Sequence, residues 1–254
     1  MPAPKDNYAE HTPCAALRLY VECFWSRAGR AGASTAAGHR VLPDGCLDIV
    51  FNFGDSAPWS AAVVGTMTRP LVVEPGRRED FLGVRFRPGK ARAFLRPPAD
   101  EFTDRAVRLA DAWGRDGAEL EERLAGMPAL RARLGALENA LLRRLAQAPA
   151  ADTRLDAAVE VIARSRGAVS VERLSGTVGW SRQHLARRFT SAVGVGPKLF
   201  CRVVRFRGLV ESARALKLGW AEAAAEYGYY DQAHLIAEFK EFAGLTPAQF
   251  FAAR

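Results

Sequence analysis

From residue 16 to about 90 the chain alternates. In "LRLYVECFW", Leu17, Leu19, Val21, Cys23 and Trp25 fall on one side. In "FLGVRFRPG", Leu82, Val84 and Phe86 oppose Gly83, Arg85 and Arg87. A period of two puts successive side chains on opposite faces of a strand. Between these stretches, "LPDGCLDIVFNFGD" opens with a Pro-Asp-Gly turn and continues as an apolar strand. Several short strands set off by Gly and Pro predict a β-rich barrel or sandwich to about residue 98. From 101 to 147 the period lengthens to that of a helix. Leu130, Leu134, Leu137, Leu141 and Leu145 step by four, three, four and four. That seam suits either the barrel or a second subunit, which would give a homodimer through 130–145. "QAPAADT" at 147–153 reads as a linker.

Beyond the linker the pattern is helical, and it repeats. "HLARRFTSAVGVGPKLF" begins at His184 and "HLIAEFKEFAGLTPAQF" at His234. Offset by fifty, six positions are identical: His184/His234, Leu185/Leu235, Phe189/Phe239, Gly194/Gly244, Pro197/Pro247 and Phe200/Phe250. Leu and Phe four apart share a helix face. Gly five residues later ends that helix. Thr246-Pro247, or Gly196-Pro197, then starts another.

Each copy also has a short helix upstream. In the first, Ser170 caps it, Val171, Leu174 and Val178 make its inner face, and small Ser175 precedes Gly179 by four. In the second, Ala224 precedes Gly228 by four, with one extra residue before the next helix. A small residue, Gly four on, then a polar cap (Ser181 or Asp231) and a second helix is a helix-turn-helix pattern. The small residue lets the helices approach, and the Gly takes the left-handed turn. Between the copies, Leu199, Val203, Phe206, Leu209, Val210, Ala213 and Leu216 recur at helical spacing. About twenty residues of helix span ~30 Å, close to the ~34 Å between successive major grooves on one face of DNA. The expected fold is α+β. A β-rich N-terminal domain with a helical extension at 101–147 occupies 1–148. An all-α domain at 149–254 carries helix-turn-helix units at about 168–194 and 219–244, joined by a long helix.

Composition changes this picture mainly through charge. With 49% hydrophobic and 25% charged residues the chain is of globular type. No apolar run approaches the ~20 residues of a membrane helix, and the N-terminus lacks a signal-peptide pattern. A cytoplasmic, nucleoid-associated protein with no membrane partner is expected. Four cysteines show no CxxC spacing, so no disulfide framework is expected. His11, Cys14, Cys23, His39 and Cys46 lack the close pairs of known metal sites, and neither metal nor cofactor is expected. The net charge of +8 is unevenly spread. Residues 182–217 hold Arg182, Arg187, Arg188, Lys198, Arg202, Arg205, Arg207, Arg214 and Lys217 against only Glu211. Residues 218–253 hold Lys240 against Glu222, Glu226, Asp231, Glu238 and Glu241. A strongly basic first unit points to a polyanionic partner.

Residues from about 155 to 253 resemble the DNA-binding domain of the AraC/XylS family of transcriptional regulators. The motifs that carry the resemblance are "VERLSGTVGWSRQHLARRF", "VGVGPKLFCRVVRF" and "AAAEYGYYDQAHLIAEFKEFAGLTPAQF". The N-terminal half resembles a subfamily marked by "LPDGCLDIVFNFG", "VVGTMTRP" and "GVRFRPG". The resemblance implies a transcription factor with an N-terminal sensing or dimerising domain. Double-stranded DNA is the implied partner, with a small effector and RNA polymerase as further ones.

On the first recognition helix the outward positions are Arg182, Gln183, Ala186 and Arg187, with Arg188 beside them. Arg reads guanine and Gln adenine. Lys198, at a helix start, suits a phosphate. On the second, Gln232, Ala233, Ile236 and Ala237 face outward, and Ile236 suits a thymine methyl. Glu238 and Glu241 would repel phosphates if they faced them. His184 and His234 share a packing or phosphate role. The effector candidates in the N-terminal domain are Trp25, Phe51, Phe53, Trp59, Arg85 and Arg87. An enzyme in the N-terminal domain is the alternative from another class, but the chain has no nucleophile elbow, HExxH, P-loop or glycine-rich dinucleotide motif. A protein-binding helical adaptor is the third reading, which the acidic second unit suits and the basic first unit does not.

Overall fold

The structure, a computed structural model, describes residues 8–30, 39–55, 57–74, 78–212 and 219–252. Its strands are β1 (Tyr8–His11), β2 (Val21–Arg30), β3 (His39–Val41), β4 (Leu47–Asn52), β5 (Ala61–Val64), β6 (Leu71–Val73), β7 (Arg78–Phe86) and β8 (Ala106–Arg108). Six form one antiparallel sheet in the order β1-β2-β7-β4-β5-β8, and β3 pairs with β6 as a separate ribbon. The alternation of Leu82, Val84 and Phe86 survives intact, all three being buried on the core face beside Ile49 and Phe51 of β4. The alternation at 17–25 does not. Leu17 is buried in a short 3-10 turn before the strand, and Leu19 is 71% exposed. The register shifts between Val21 and Cys23, so Val21 and Phe24 enter the core and Cys23 and Trp25 lie across the strand from Phe24. A bulge reverses the side on which later residues fall.

The 101–147 stretch is less uniformly helical than its spacing predicts. A 3-10 turn at Ala99–Phe102 and β8 precede α1 (Leu109–Trp113), α2 (Arg115–Ala125) and α3 (Leu130–Leu145). The leucine seam of α3 closes over the chain's own sheet. Leu137 and Leu141 are fully buried, Leu134 and Leu145 pack against the same core, and only the first, Leu130, is much exposed at 39%. Most of the apolar face of this seam is thus covered within the chain.

The C-terminal half is helical. It comprises α4 (Thr153–Arg164), α5 (Val171–Val178), α6 (Arg182–Val193), α7 (Pro197–Ser212), α8 (Trp220–Glu226), α9 (Gln232–Ala243) and α10 (Pro247–Ala252). Two cores form here. One joins α4, α5 and α6 around Phe189 and Phe200, whose rings lie 5.4 Å apart. The other joins α8, α9 and α10 around Phe206, Phe239 and Phe242. Helix α7 feeds both, Phe200 and Cys201 to the first and Val203, Phe206 and Leu209 to the second. Each such aromatic or aliphatic side chain contributes about 1.5–3 kcal/mol on burial, so the long helix is fixed to both units. The expected inner positions Ala213 and Leu216 lie outside the described residues.

Candidate nucleic-acid interface

The two helix pairs are built from the same local devices. In the first, Ser170 caps α5 by accepting from the Arg173 N–H, and Gly179 ends it at φ 66°. The Trp180 N–H then returns to the Ser175 carbonyl at 3.1 Å. Ser181 caps α6, accepting from the His184 N–H at 3.2 Å, and Gly194 ends it at φ 94°. In the second, the Tyr229 N–H returns to the Ala224 carbonyl at 2.9 Å. Asp231 caps α9, accepting from the His234 N–H at 2.7 Å, and Gly244 ends it at φ 70°. These caps satisfy donors and carbonyls that every helix end leaves open. The matched histidines lie against the ring of the residue that follows each turn glycine: His184 is 5.0 Å from Trp180, tilted, and His234 5.4 Å from Tyr229, edge-on. Both histidines thus share a ring-packing contact.

One face of α6 is buried through Leu185, Phe189 and Val193, which leaves Arg182, Gln183 and Arg187 exposed and Ala186 half-buried. Arg182 pairs loosely with Glu172 at 3.0 Å, both side chains being well exposed. Arg187 has no carboxylate partner among the described residues and lies 3.5 Å from His184 Nδ1. Lys198 is exposed in the first turn of α7. Arg188 departs from expectation. Its Nη2 donates to Asp152 Oδ2 at 2.5 Å, which turns it toward the start of α4.

On α9, Gln232, Ala233 and Ala237 are exposed, and Ile236 is half-buried against the second core. Glu238 corrects the sequence reading: it is 2% exposed and meets Arg202 Nε at 2.7 Å and Arg205 at 3.8 Å. Glu241 pairs with Arg202 as well, at 2.6 Å. Glu238 and Glu241 therefore face α7 and neutralise part of the basic window. Arg207 is likewise taken up by Glu211 at 2.9 Å and Asp44 at 3.8 Å. What remains outward is the charge of α6 and Lys198. Tyr230 was missed by the sequence reading. It is 92% exposed at the start of α9, and its backbone N–H donates to His234 Nδ1. The signal was the extra residue between Gly228 and His234.

The N-terminal domain grips both recognition helices at their C-terminal ends. Thr66 Oγ1 donates to the Val193 carbonyl at 2.5 Å, and Thr103 Oγ1 to the Gly194 carbonyl at 2.6 Å. Arg40 Nη1 donates to the Ala243 carbonyl at 2.9 Å. Val193 and Ala243 occupy the same place in the repeat. A Cβ on Gly194 would lie 3.0 Å from Thr66 Oγ1, and one on Gly244 2.8 Å from Arg40 Nη1. Lys90 meets Asp156 of α4 at 2.7 Å, adding a charged contact between the domains.

The six effector candidates do not converge. Phe51 is fully buried in the sheet core, and Phe53 stacks on it under the Arg133 guanidinium. Trp59 is half-buried, its carbonyl accepting from Asn52. Arg87 is exposed and donates to the Arg18 carbonyl. Trp25 and Arg85 meet through Asp48: Trp25 Nε1 donates to it at 3.0 Å, and Arg85 Nε lies 3.5 Å away. Burial drives the Asp48 carboxyl up to about 7, against the pull of Arg85 and the Trp25 hydrogen bond. Arg85 lines a cleft of about 410 Å³ between the sheet and α7. Among the described residues no three His, Cys, Asp or Glu side chains gather as a metal site requires. Among the described residues no helix is long and apolar enough to cross a membrane.

Residues 174–253 match the family described as a helix-turn-helix domain, and residues 9–108 match a domain of unknown function, DUF6597. The expected C-terminal helix-turn-helix domain is present. An uncharacterized HTH-type transcriptional regulator of Staphylococcus aureus strain MSSA476, SAS0078, is 30% identical over 82 residues. A second, SA0097 of strain N315, matches to the same extent. The matched stretch is 32% of this chain and 11% of the length of those relatives. Among solved structures, the chain is similar to ToxT from Vibrio cholerae O395 bound to (E)-4-(8-methylnaphthalen-1-yl)but-3-enoic acid. That likeness has 9% identity and a TM-score of 0.47, over 90% of this chain and 98% of the other. It is similar also to the C-terminal domain of AraT, a response regulator from Geobacillus stearothermophilus, at 21% identity and a TM-score of 0.38, over 41% of this chain and 87% of the other.

Proposed function

We propose that this chain, an AraC-type helix-turn-helix domain joined to a β-rich N-terminal domain, is a sequence-specific DNA-binding transcriptional regulator and not an enzyme. It acts in the cytoplasm on the nucleoid, with duplex DNA as its primary partner and RNA polymerase downstream. Two recognition helices, α6 and α9, enter successive major grooves. The observation that carries this reading is the outward face of α6. Arg182, Gln183 and Arg187 stand exposed there, on a helix whose opposite face is buried and whose two ends are hydrogen-bonded. A helix held at both ends presents its side chains in one orientation, which base reading requires. Arg187 has no carboxylate to hold it back from a phosphate or a base. An effector acting on the N-terminal domain reaches the reader through the contacts at Val193, Gly194 and Ala243.

The experiment is selection of genomic fragments by the purified chain, followed by titration of a selected fragment at several salt concentrations. Binding through several phosphates weakens steeply as salt rises. A chain that enriches no fragment, or binds with no dependence on salt, would refute the reading.

A further inference from the structure

Four arginines surround one cleft where the N-terminal domain, the 147–149 segment and α6 meet: Arg92, Arg96, Arg144 and Arg188. The cleft holds about 370 Å³, within the range of small-molecule sites. Two carboxylates answer the four guanidiniums. A single oxygen of Asp152 serves both Arg188, at 2.5 Å, and Arg92, at 3.6 Å. Asp116 meets Arg144 at 3.2 Å but is itself 75% exposed. Arg96 is exposed and has no carboxylate partner among the described residues. Arg144 Nε is buried with no hydrogen-bond partner among them, although the other nitrogens of the group reach the Phe94 and Trp113 carbonyls. Like charges gathered around a cavity with donors to spare are stable when an anion joins them. Phe94 and Leu95 give the cleft an apolar wall.

We propose that this cleft binds a small organic anion, a carboxylate or phosphate monoester with a short apolar body. Its charge takes up the donors that Asp152 and Asp116 leave over. Arginine's planar fork meets such oxygens two at a time. Arg188 belongs to the first recognition helix, and Arg92 and Arg96 belong to the N-terminal domain, so the bound anion bridges the two. The site is separate from the outward face of α6, and the proposal does not depend on DNA binding.

The test is thermal unfolding of the full chain titrated with inorganic phosphate and, separately, with benzoate, at ionic strength held constant with sodium chloride. A saturable rise in Tm is expected. Arg96→Ala should unfold at the wild-type temperature without ligand, since Arg96 makes no hydrogen bond or ion pair among the described residues, and should weaken anion binding about tenfold. Arg115→Ala, on the exposed side of α2, should leave the titration unchanged. A rise that never saturates, or one that is the same in Arg96→Ala as in wild type, overturns the proposal. A DNA phosphate is the other source of the same chemistry. If it fills the cleft, Arg96→Ala weakens DNA binding at fixed salt and neither small anion gives a saturable shift, which also overturns the proposal. Anion binding by a chain that selects no DNA would sink the regulator reading and leave this one standing.

Discussion

The hydroxyl of Thr103 sits 2.6 Å from the carbonyl of Gly194, so the N-terminal domain closes the end of the first recognition helix. Thr66 does the same for Val193, and Arg40 for Ala243, the matching residue fifty positions on. The last carbonyls of a helix have no partner within it. Here they are satisfied from the other domain, which ties the placement of both readers to that domain. Thr103→Val removes the donor while keeping the shape. It should lower stability by about 1–3 kcal/mol, measured by chemical denaturation. It should also narrow the difference in affinity between DNA with the native spacing of the two half-sites and DNA with one base pair inserted. A fall in stability with spacing preference unchanged would leave Thr103 a purely structural residue.

Two glycines in the same left-handed region should respond differently to a methyl group. Gly179, at φ 66°, faces open space, so Gly179→Ala meets only backbone strain, about 1–2 kcal/mol. Gly194, at φ 94°, has Thr66 and Thr103 oxygens 3.0 and 3.1 Å from where the Cβ would be. Gly194→Ala should therefore cost clearly more than Gly179→Ala in denaturant unfolding. Equal losses would mean that the interdomain contact gives way freely.

Glu238 is the buried counter-charge between α9 and α7. Glu238→Ala leaves Arg202 and Arg205 without their shared carboxylate. Breaking one side of a buried pair costs about 3–5 kcal/mol, and the low end applies because Arg202 stays 27% exposed. Glu241→Ala, at the exposed rim of the same cluster, should cost less than about 1 kcal/mol. Thermal unfolding of the two variants side by side decides this, and similar losses would show that the cluster is solvated throughout.

Asp48 should make stability depend on pH in a particular direction. Its carboxyl is raised from 3.8 to about 7, chiefly by burial. Between those values the folded chain holds a proton that the unfolded chain has released. The contribution is therefore full below about pH 4 and lost as pH rises through about 7. Asp48→Asn keeps an acceptor for the Trp25 N–H and removes the titration. Relative to wild type, the variant should gain stability steadily from about pH 4 to about pH 7 and no further above it. A constant difference across that range would place the Asp48 carboxyl at its ordinary value.

What was legible in the sequence is what short-range geometry writes there. The caps at Ser170, Ser181 and Asp231, the helix-ending glycines and the Leu-Phe spacing each need only a few neighbouring residues, and all appear as expected. What was not legible depends on residues far away in the chain. The burial of Glu238 depends on partners on α7, and the contact of Arg188 with Asp152 depends on a residue before α4. A charge window counts every side chain as solvated, so it overstated the contrast between the two units. The leucine seam of α3 gave its periodicity but not its partner. The bulge at Val21/Cys23 left no mark in the alternation, so Leu19 was placed inside. Four of the six effector residues were chosen by aromatic character, which marks core and pocket alike, and Phe51 and Phe53 pack in the sheet core.

The two readers should contribute unequally to DNA binding. Helix α6 offers two exposed arginines and a glutamine, whereas α9 offers Gln232 flanked by alanine, with Ile236 half-buried and its acids turned inward. Arg187→Ala should weaken binding to a selected fragment by about 1–3 kcal/mol, and it should flatten the salt dependence if the contact is to a phosphate. Gln232→Ala should cost less. Neither residue supports the fold through a buried contact, so unfolding temperatures should stay at the wild-type value and the losses can be read as binding alone. If the two losses are equal at one salt concentration, the helices share the work and the positive charge on α6 serves approach to DNA and not recognition.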